Sequence, residues 1–83
     1  MSDPIRVEIY SRPGCHLCDE AKAVIQRGNY ESQFTLVEVN IETDPRLVGL
    51  YANDIPVITI NDSEVFLHRV SAEQFAEALK RAG

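Results

Sequence analysis

The chain has 83 residues, with 8 Lys and Arg against 13 Asp and Glu for a formal charge of −5, and Ile, Val, Leu and Phe fill 24 positions, clear of the roughly 20% floor below which chains tend to stay disordered. That is one domain's worth of sequence, with a small core and a stability on the order of 4 to 12 kcal/mol. No three basic residues are consecutive, which weighs against nucleic acid or an anionic membrane as partner; there is no apolar leader near Met1, no apolar run of the roughly 18 residues a membrane span needs, and two cysteines are too few for a disulfide-stapled secreted miniprotein. The expectation is a soluble, cytoplasmic, monomeric protein.

Ile5, Val7 and Ile9 alternate with Arg6, Glu8 and Tyr10, which predicts a strand over 5–10. Ser11-Arg12-Pro13-Gly14 breaks it. Leu17, Ala21, Val24, Ile25 and Gly28 then recur at helical spacing, so a helix is expected over 15–27, with Arg27 at its negative end and Gly28 as the left-handed residue that stops it. After a polar turn at 29–33, residues 34–39 (Phe-Thr-Leu-Val-Glu-Val) form a second strand, and the β-α-β unit requires it to lie parallel and adjacent to the first. Asp44-Pro45 marks an N-cap and first-turn proline, hence a short helix over 45–52. Residues 57–60, the Asn61-Asp62-Ser63 turn and residues 64–67 make a hairpin. Ser71-Ala72-Glu73-Gln74 is a capping box, followed by a helix whose apolar face is Ala72, Phe75, Ala76, Leu79 and Ala82. The order is β-α-β-α-β-β-α.

Cys15-His16-Leu17-Cys18 falls where the first strand hands over to the first helix. Its spacing is also half of a tetrahedral zinc site, for which the remaining ligand candidates are His16, trapped between the cysteines, His68, and carboxylates such as Asp19. A purely structural disulfide would close a loop of four residues, removing about 2 kcal/mol of unfolded-state entropy. The redox alternative gives each residue a task. Unpaired N–H groups and the positive end of the helix dipole favour a thiolate at Cys15, Arg12 and His16 could add positive potential, and Cys18 one turn deeper can reach the Cys15 sulfur as resolving thiol. Asp19 and Glu20 oppose that thiolate. Tyr10 could pack beside the sulfurs or be an ordinary strand-end tyrosine, and Glu8 is either a proton acceptor for Cys18 or a side chain snorkelling past the second helix. Pro56, at the start of the third strand, is trans by base rate.

The run from Tyr10 to Ala21 around the cysteine pair, followed by Ile55-Pro56-Val57, resembles the thioredoxin superfamily and within it the glutaredoxin-like branch. The resemblance spans the whole chain. It implies the minimal thioredoxin fold, a four-stranded mixed sheet with helices on both faces, in one domain over 1–83. It also implies that Pro56 is cis and faces the cysteines, and that Ile55 offers its backbone N–H and C=O to a bound substrate as an added strand would. Arg12 fills the family's basic position before the first cysteine. The family's Gly-Gly pair, which receives the glutathione carboxylate, falls on Phe66-Leu67, with His68 and Arg69 behind, and a side chain there would crowd the approach. Neither the thioredoxin Trp-Cys-Gly-Pro-Cys motif nor the single-cysteine pattern of cluster carriers is present.

The function the resemblance implies is dithiol-disulfide oxidoreduction with Cys15 and Cys18 catalytic, substrate contacts from Arg12, His16, Leu17, Ile55 and Pro56, and no bound cofactor or metal. Substrates would be disulfide-containing proteins or glutathione mixed disulfides, and the electron donor glutathione or a thioredoxin-reductase-type flavoprotein. Any preference for glutathione must come from local groups such as Arg12 and Arg69 acting against the overall negative charge. The alternative is an adaptor without turnover that holds a protein partner on the Ile55-Pro56 edge and the Phe66-Leu67 surface.

Overall fold

In the computed structural model of the chain, residues 5–27 and 34–82 are described, with Glu64 and Val65 described in backbone only. The elements are β1 (Ile5–Ser11), α1 (His16–Arg27), β2 (Phe34–Asn40), a 3₁₀ turn (Ile41–Thr43), α2 (Pro45–Tyr51), β3 (Val57–Ile60), β4 (Glu64–Leu67) and α3 (Ala72–Ala82). The predicted order therefore holds, with one addition, the 3₁₀ turn. That turn is local polar chemistry: the Asn40 side chain accepts the Glu42 N–H at 2.9 Å and the Thr43 hydroxyl donates to the Asn40 carbonyl at 2.7 Å. Gly28 and the 29–33 turn lie outside the described residues.

The sheet runs β2-β1-β3-β4. β1 and β2 are parallel, from Ile5 opposite Phe34 to Ser11 opposite Asn40, as a crossover through α1 demands, whereas β3 is antiparallel to both β1 and β4. Alternation then sorts the side chains of β1. Ile5, Val7 and Ile9 join Ile58 and Ile60 of β3 in a core closed by Ala21 and Ile25 of α1 and by Phe75, Ala78 and Leu79 of α3. Glu8 and Tyr10 face the other side, where Tyr51 of α2 lies against Tyr10 with ring centroids 4.9 Å apart. Helices thus cover both faces, and all four residues of β3 are buried.

Caps fix the helix starts. Asp44 accepts the Arg46 N–H at 2.9 Å and Pro45 takes the first helical position of α2, while at α3 the Ser71 hydroxyl accepts the Gln74 N–H at 3.1 Å and Gln74 returns the bond to the Ser71 N–H at 3.3 Å. Two details correct the expectation. Ala72 sits in the first turn of α3 and is exposed, and Ala78 takes its place in the buried stripe. In α1 the buried stripe is Cys18, Ala21 and Ile25, with Leu17 only half-buried.

Candidate functional site

The C-terminal end of β1 delivers the chain to Gly14, whose φ of +80° is the left-handed backbone that lets it reverse into α1. Cys15 follows as the residue that caps α1. Its own N–H donates to the Arg12 carbonyl at 3.3 Å, its carbonyl accepts the Asp19 N–H at 3.2 Å, and its Sγ accepts the Cys18 N–H at 3.2 Å. The sulfur occupies the place a serine or aspartate oxygen holds at an ordinary N-cap. Cys15 and Cys18 are disulfide-bonded with Cα atoms 5.2 Å apart. They differ in access: Cys18 is 4% exposed, whereas Cys15 is half-buried at the surface.

Around this pair the named residues spread in two directions. Arg12 is exposed, has no ion pair among the described residues, and borders a groove of about 370 Å³ with Ser11, Gly14, Asp19, Lys22 and Asn40. Leu17 lines a second groove of about 250 Å³ on the other flank, with Val24, His68, Arg69 and Val70. His16 points into solvent, with its Nε2 3.3 Å from a Glu20 carboxylate oxygen one turn along the helix.

The Ile55-Pro56 peptide is cis, and the antiparallel register that pairs Tyr10 with Val57 carries Pro56 to the level of Ser11, beside the cysteine turn. The expected two-sided docking edge is changed in one respect: the Ile55 N–H already donates to the Tyr51 carbonyl at 3.1 Å. On the far side the His68 N–H donates to the Pro56 carbonyl at 3.0 Å. His68 has φ of +67°, a left-handed conformation, and its Nε2 lies 4.0 Å from an Asp54 carboxylate oxygen. Phe66 and Leu67 are ordinary β4 residues paired with Ile58 and Val57, so the left-handed turn falls just after them. Phe66 packs against the core and Leu67 is 47% exposed.

The Glu8 side chain is 12% exposed, a semi-buried carboxylate rather than one snorkelling to solvent. Its carboxylate accepts the Tyr10 hydroxyl at 3.1 Å and meets Arg6 Nε at 3.4 Å, on the sheet face away from α1. Burial first, and then the Glu8 bond, pushes the Tyr10 phenol up to about 12. A raised tyrosine favours the folded state fully below the ordinary range near pH 10, and that contribution is lost as pH climbs through about 12. An absorbance titration is expected to show a late tyrosinate step that Tyr10→Phe removes, together with part of the alkaline loss of stability. Among the described residues no three His, Cys, Asp or Glu side chains are grouped to hold a metal ion, and no described helix is long and apolar enough to cross a membrane.

Several known proteins are similar to this chain. A Dictyostelium discoideum protein described as "Glutaredoxin-like protein YDR286C homolog" is 32% identical over 76 residues, covering 84% of this chain and 70% of the relative. The X-ray structure of structural-genomics target XcR50 from X. campestris superposes with a TM-score of 0.70 at 26% identity, over 93% of this chain and 99% of that one. The solution structure of Ne2328 from Nitrosomonas europaea gives 0.71 at 28% identity, with 95% of each chain covered. The family model for the glutaredoxin-like domain (DUF836) matches residues 6–80. With a cysteine pair capping α1 beside a cis Ile55-Pro56 peptide on a thioredoxin-type sheet, the chain belongs to this glutaredoxin-like family.

Proposed function

We propose that the protein is a dithiol-disulfide oxidoreductase. The Cys15 thiolate attacks one sulfur of a substrate disulfide, and the other sulfur leaves as a thiolate that takes up a proton. The Cys18 thiol, on losing its proton, attacks Cys15 Sγ, releases the second substrate thiol and closes the Cys15–Cys18 disulfide. Two electrons have passed from the protein dithiol to the substrate disulfide. Two glutathione molecules, becoming glutathione disulfide, or a flavoprotein reductase would return them.

The observation that carries this reading is the unequal access of two cysteines in one helical turn, the outer sulfur taking an N–H of the helix start and the inner one covered. An attacking thiol must meet its substrate, and a resolving thiol must meet only the mixed disulfide. Arg12, His16, Leu17, Ile55 and Pro56 are proposed as the substrate-facing rim.

Cys18→Ser is the test. Incubated with a peptide disulfide, this variant is expected to accumulate one covalently held substrate thiol per chain on Cys15, released by dithiothreitol, whereas the wild type turns over. Retention of partners that dithiothreitol does not release, with no disulfide reduced by the wild type, would favour the adaptor alternative.

A further inference from the structure

The sheet ends in two open edges, β2 and β4. Along β2, Glu38 is held by Lys22 at 2.9 Å and the strand borders the groove beside the cysteine turn. The β4 edge lies away from that groove. In an antiparallel pair, residues that bond to the neighbouring strand alternate with residues whose N–H and C=O point away from it. The His68 N–H on the Pro56 carbonyl sets the phase, so Phe66, opposite Ile58, faces β3, while Val65 and Leu67 turn their backbone groups outward. The Leu67 carbonyl takes the Arg69 N–H at 2.7 Å. Among the described residues, the N–H and C=O of Val65 and the N–H of Leu67 remain open along this edge, beside a Leu67 side chain that is 47% exposed.

Beside this edge lies a groove of about 660 Å³, lined by Phe66 of β4 and by Glu73, Glu77, Lys80 and Arg81 of α3. Spacings of four and three put Glu73, Glu77 and Lys80 on one stripe of the helix. Acids in the first turn and bases in the last suit the dipole of α3 by itself. Glu73 and Glu77, however, repel each other one turn apart, and among the described residues neither they nor Lys80 has an ion pair. The stripe is therefore complementary to one that carries the same charges in reverse order, and a second copy of this chain carries them. A two-fold axis normal to the sheet at Val65 sets β4 antiparallel to β4. The two Val65 residues then exchange both backbone bonds, and each Leu67 N–H meets the Ser63 carbonyl of the other copy. The same rotation lays the two α3 helices antiparallel on one face, with Glu73 and Glu77 of each towards Lys80 and Arg81 of the other. We propose that the chain forms a two-fold dimer through its β4 edges, the two four-stranded sheets continuing as one and the α3 helices pairing their charges across the axis. This inference does not depend on the oxidoreductase reading.

A strand of four residues beside one helix is a small interface, so the dimer is a transient one. Sedimentation of the full chain over a micromolar-to-millimolar series is expected to show the mass rising from one chain towards two. Amide exchange is expected to slow at Val65 and Leu67 in the concentrated sample alone. The double variant Glu73→Lys with Glu77→Lys, and separately Lys80→Glu, are each expected to weaken association about tenfold or more, and an equal mixture of the two to restore or exceed the wild-type affinity. A charge reversal can also loosen α3 itself, so the recovery on mixing is what separates an interface from a damaged helix. Val65→Pro, which removes an outward N–H and leaves the ladder to β3 in place, is expected to stay folded and monomeric. One chain's mass at every concentration keeps the monomer expected from the sequence and overturns the proposal. So does a dimer that forms without protecting the Val65 and Leu67 amides, or whose charge variants do not recover on mixing.

Discussion

Cys15→Ser is expected to lower the rate of disulfide reduction by on the order of 10³-fold or more, to the rate of the uncatalysed reductant. A serine hydroxyl can still cap α1, because oxygen accepts the Cys18 N–H as sulfur does. It cannot exchange with a disulfide. The fold should therefore survive: Cys15 is half-buried, outside the core formed by β1, β3, α1 and α3. Thermal unfolding of Cys15→Ser should match that of the reduced wild type closely, while disulfide turnover, followed by the absorbance of a released thiol, disappears. Retained turnover in this variant would mean that Cys18, at 4% exposure, can attack substrates itself, and the assignment of roles would be reversed.

Phe75→Ala is expected to have the largest effect on stability. Phe75 is 0% exposed, packs edge to face with Phe34 at 5.4 Å, and joins α3 to the strands of the core. Truncating a buried phenylalanine costs about 3 to 5 kcal/mol. A chain of this length has about 4 to 12 kcal/mol in total. The variant should thus sit at the edge of folding at room temperature, with a denaturant midpoint moved down by a large fraction of the wild-type value. Phe75→Leu, which refills most of the space, should recover the larger part of it. If Phe75→Ala unfolded at nearly the wild-type midpoint, the core as described would be wrong.

The fold was legible because its signals were local and repeated. Alternation in β1, the Asp44-Pro45 start of α2 and the Ser71-to-Gln74 box each name an element from a few neighbouring residues, and the structure returns the hydrogen bonds those residues promise. The cysteine pair was legible for the same reason. What escaped was set by groups distant in sequence. That Ala78 rather than Ala72 faces inwards depends on where α3 meets the sheet, and the occupied Ile55 N–H depends on how α2 ends four residues earlier. His68 carried no signal for its left-handed backbone, since the residue type merely tolerates what the turn after β4 imposes.

The sulfur that caps α1 ties two properties of the protein together. An N-cap acceptor strengthens as it becomes more negative, so a thiolate at Cys15 holds the Cys18 N–H more firmly than a thiol does. Linkage works in both directions: whatever free energy the helix start gives to the thiolate, the thiolate returns to the helix. In the proposed redox cycle each step therefore changes the chemical identity of the atom that begins α1. Under that proposal the first turn of the helix would take disulfide, thiolate and substrate-bound sulfur as successive caps, and its local stability would record the state of the cysteine.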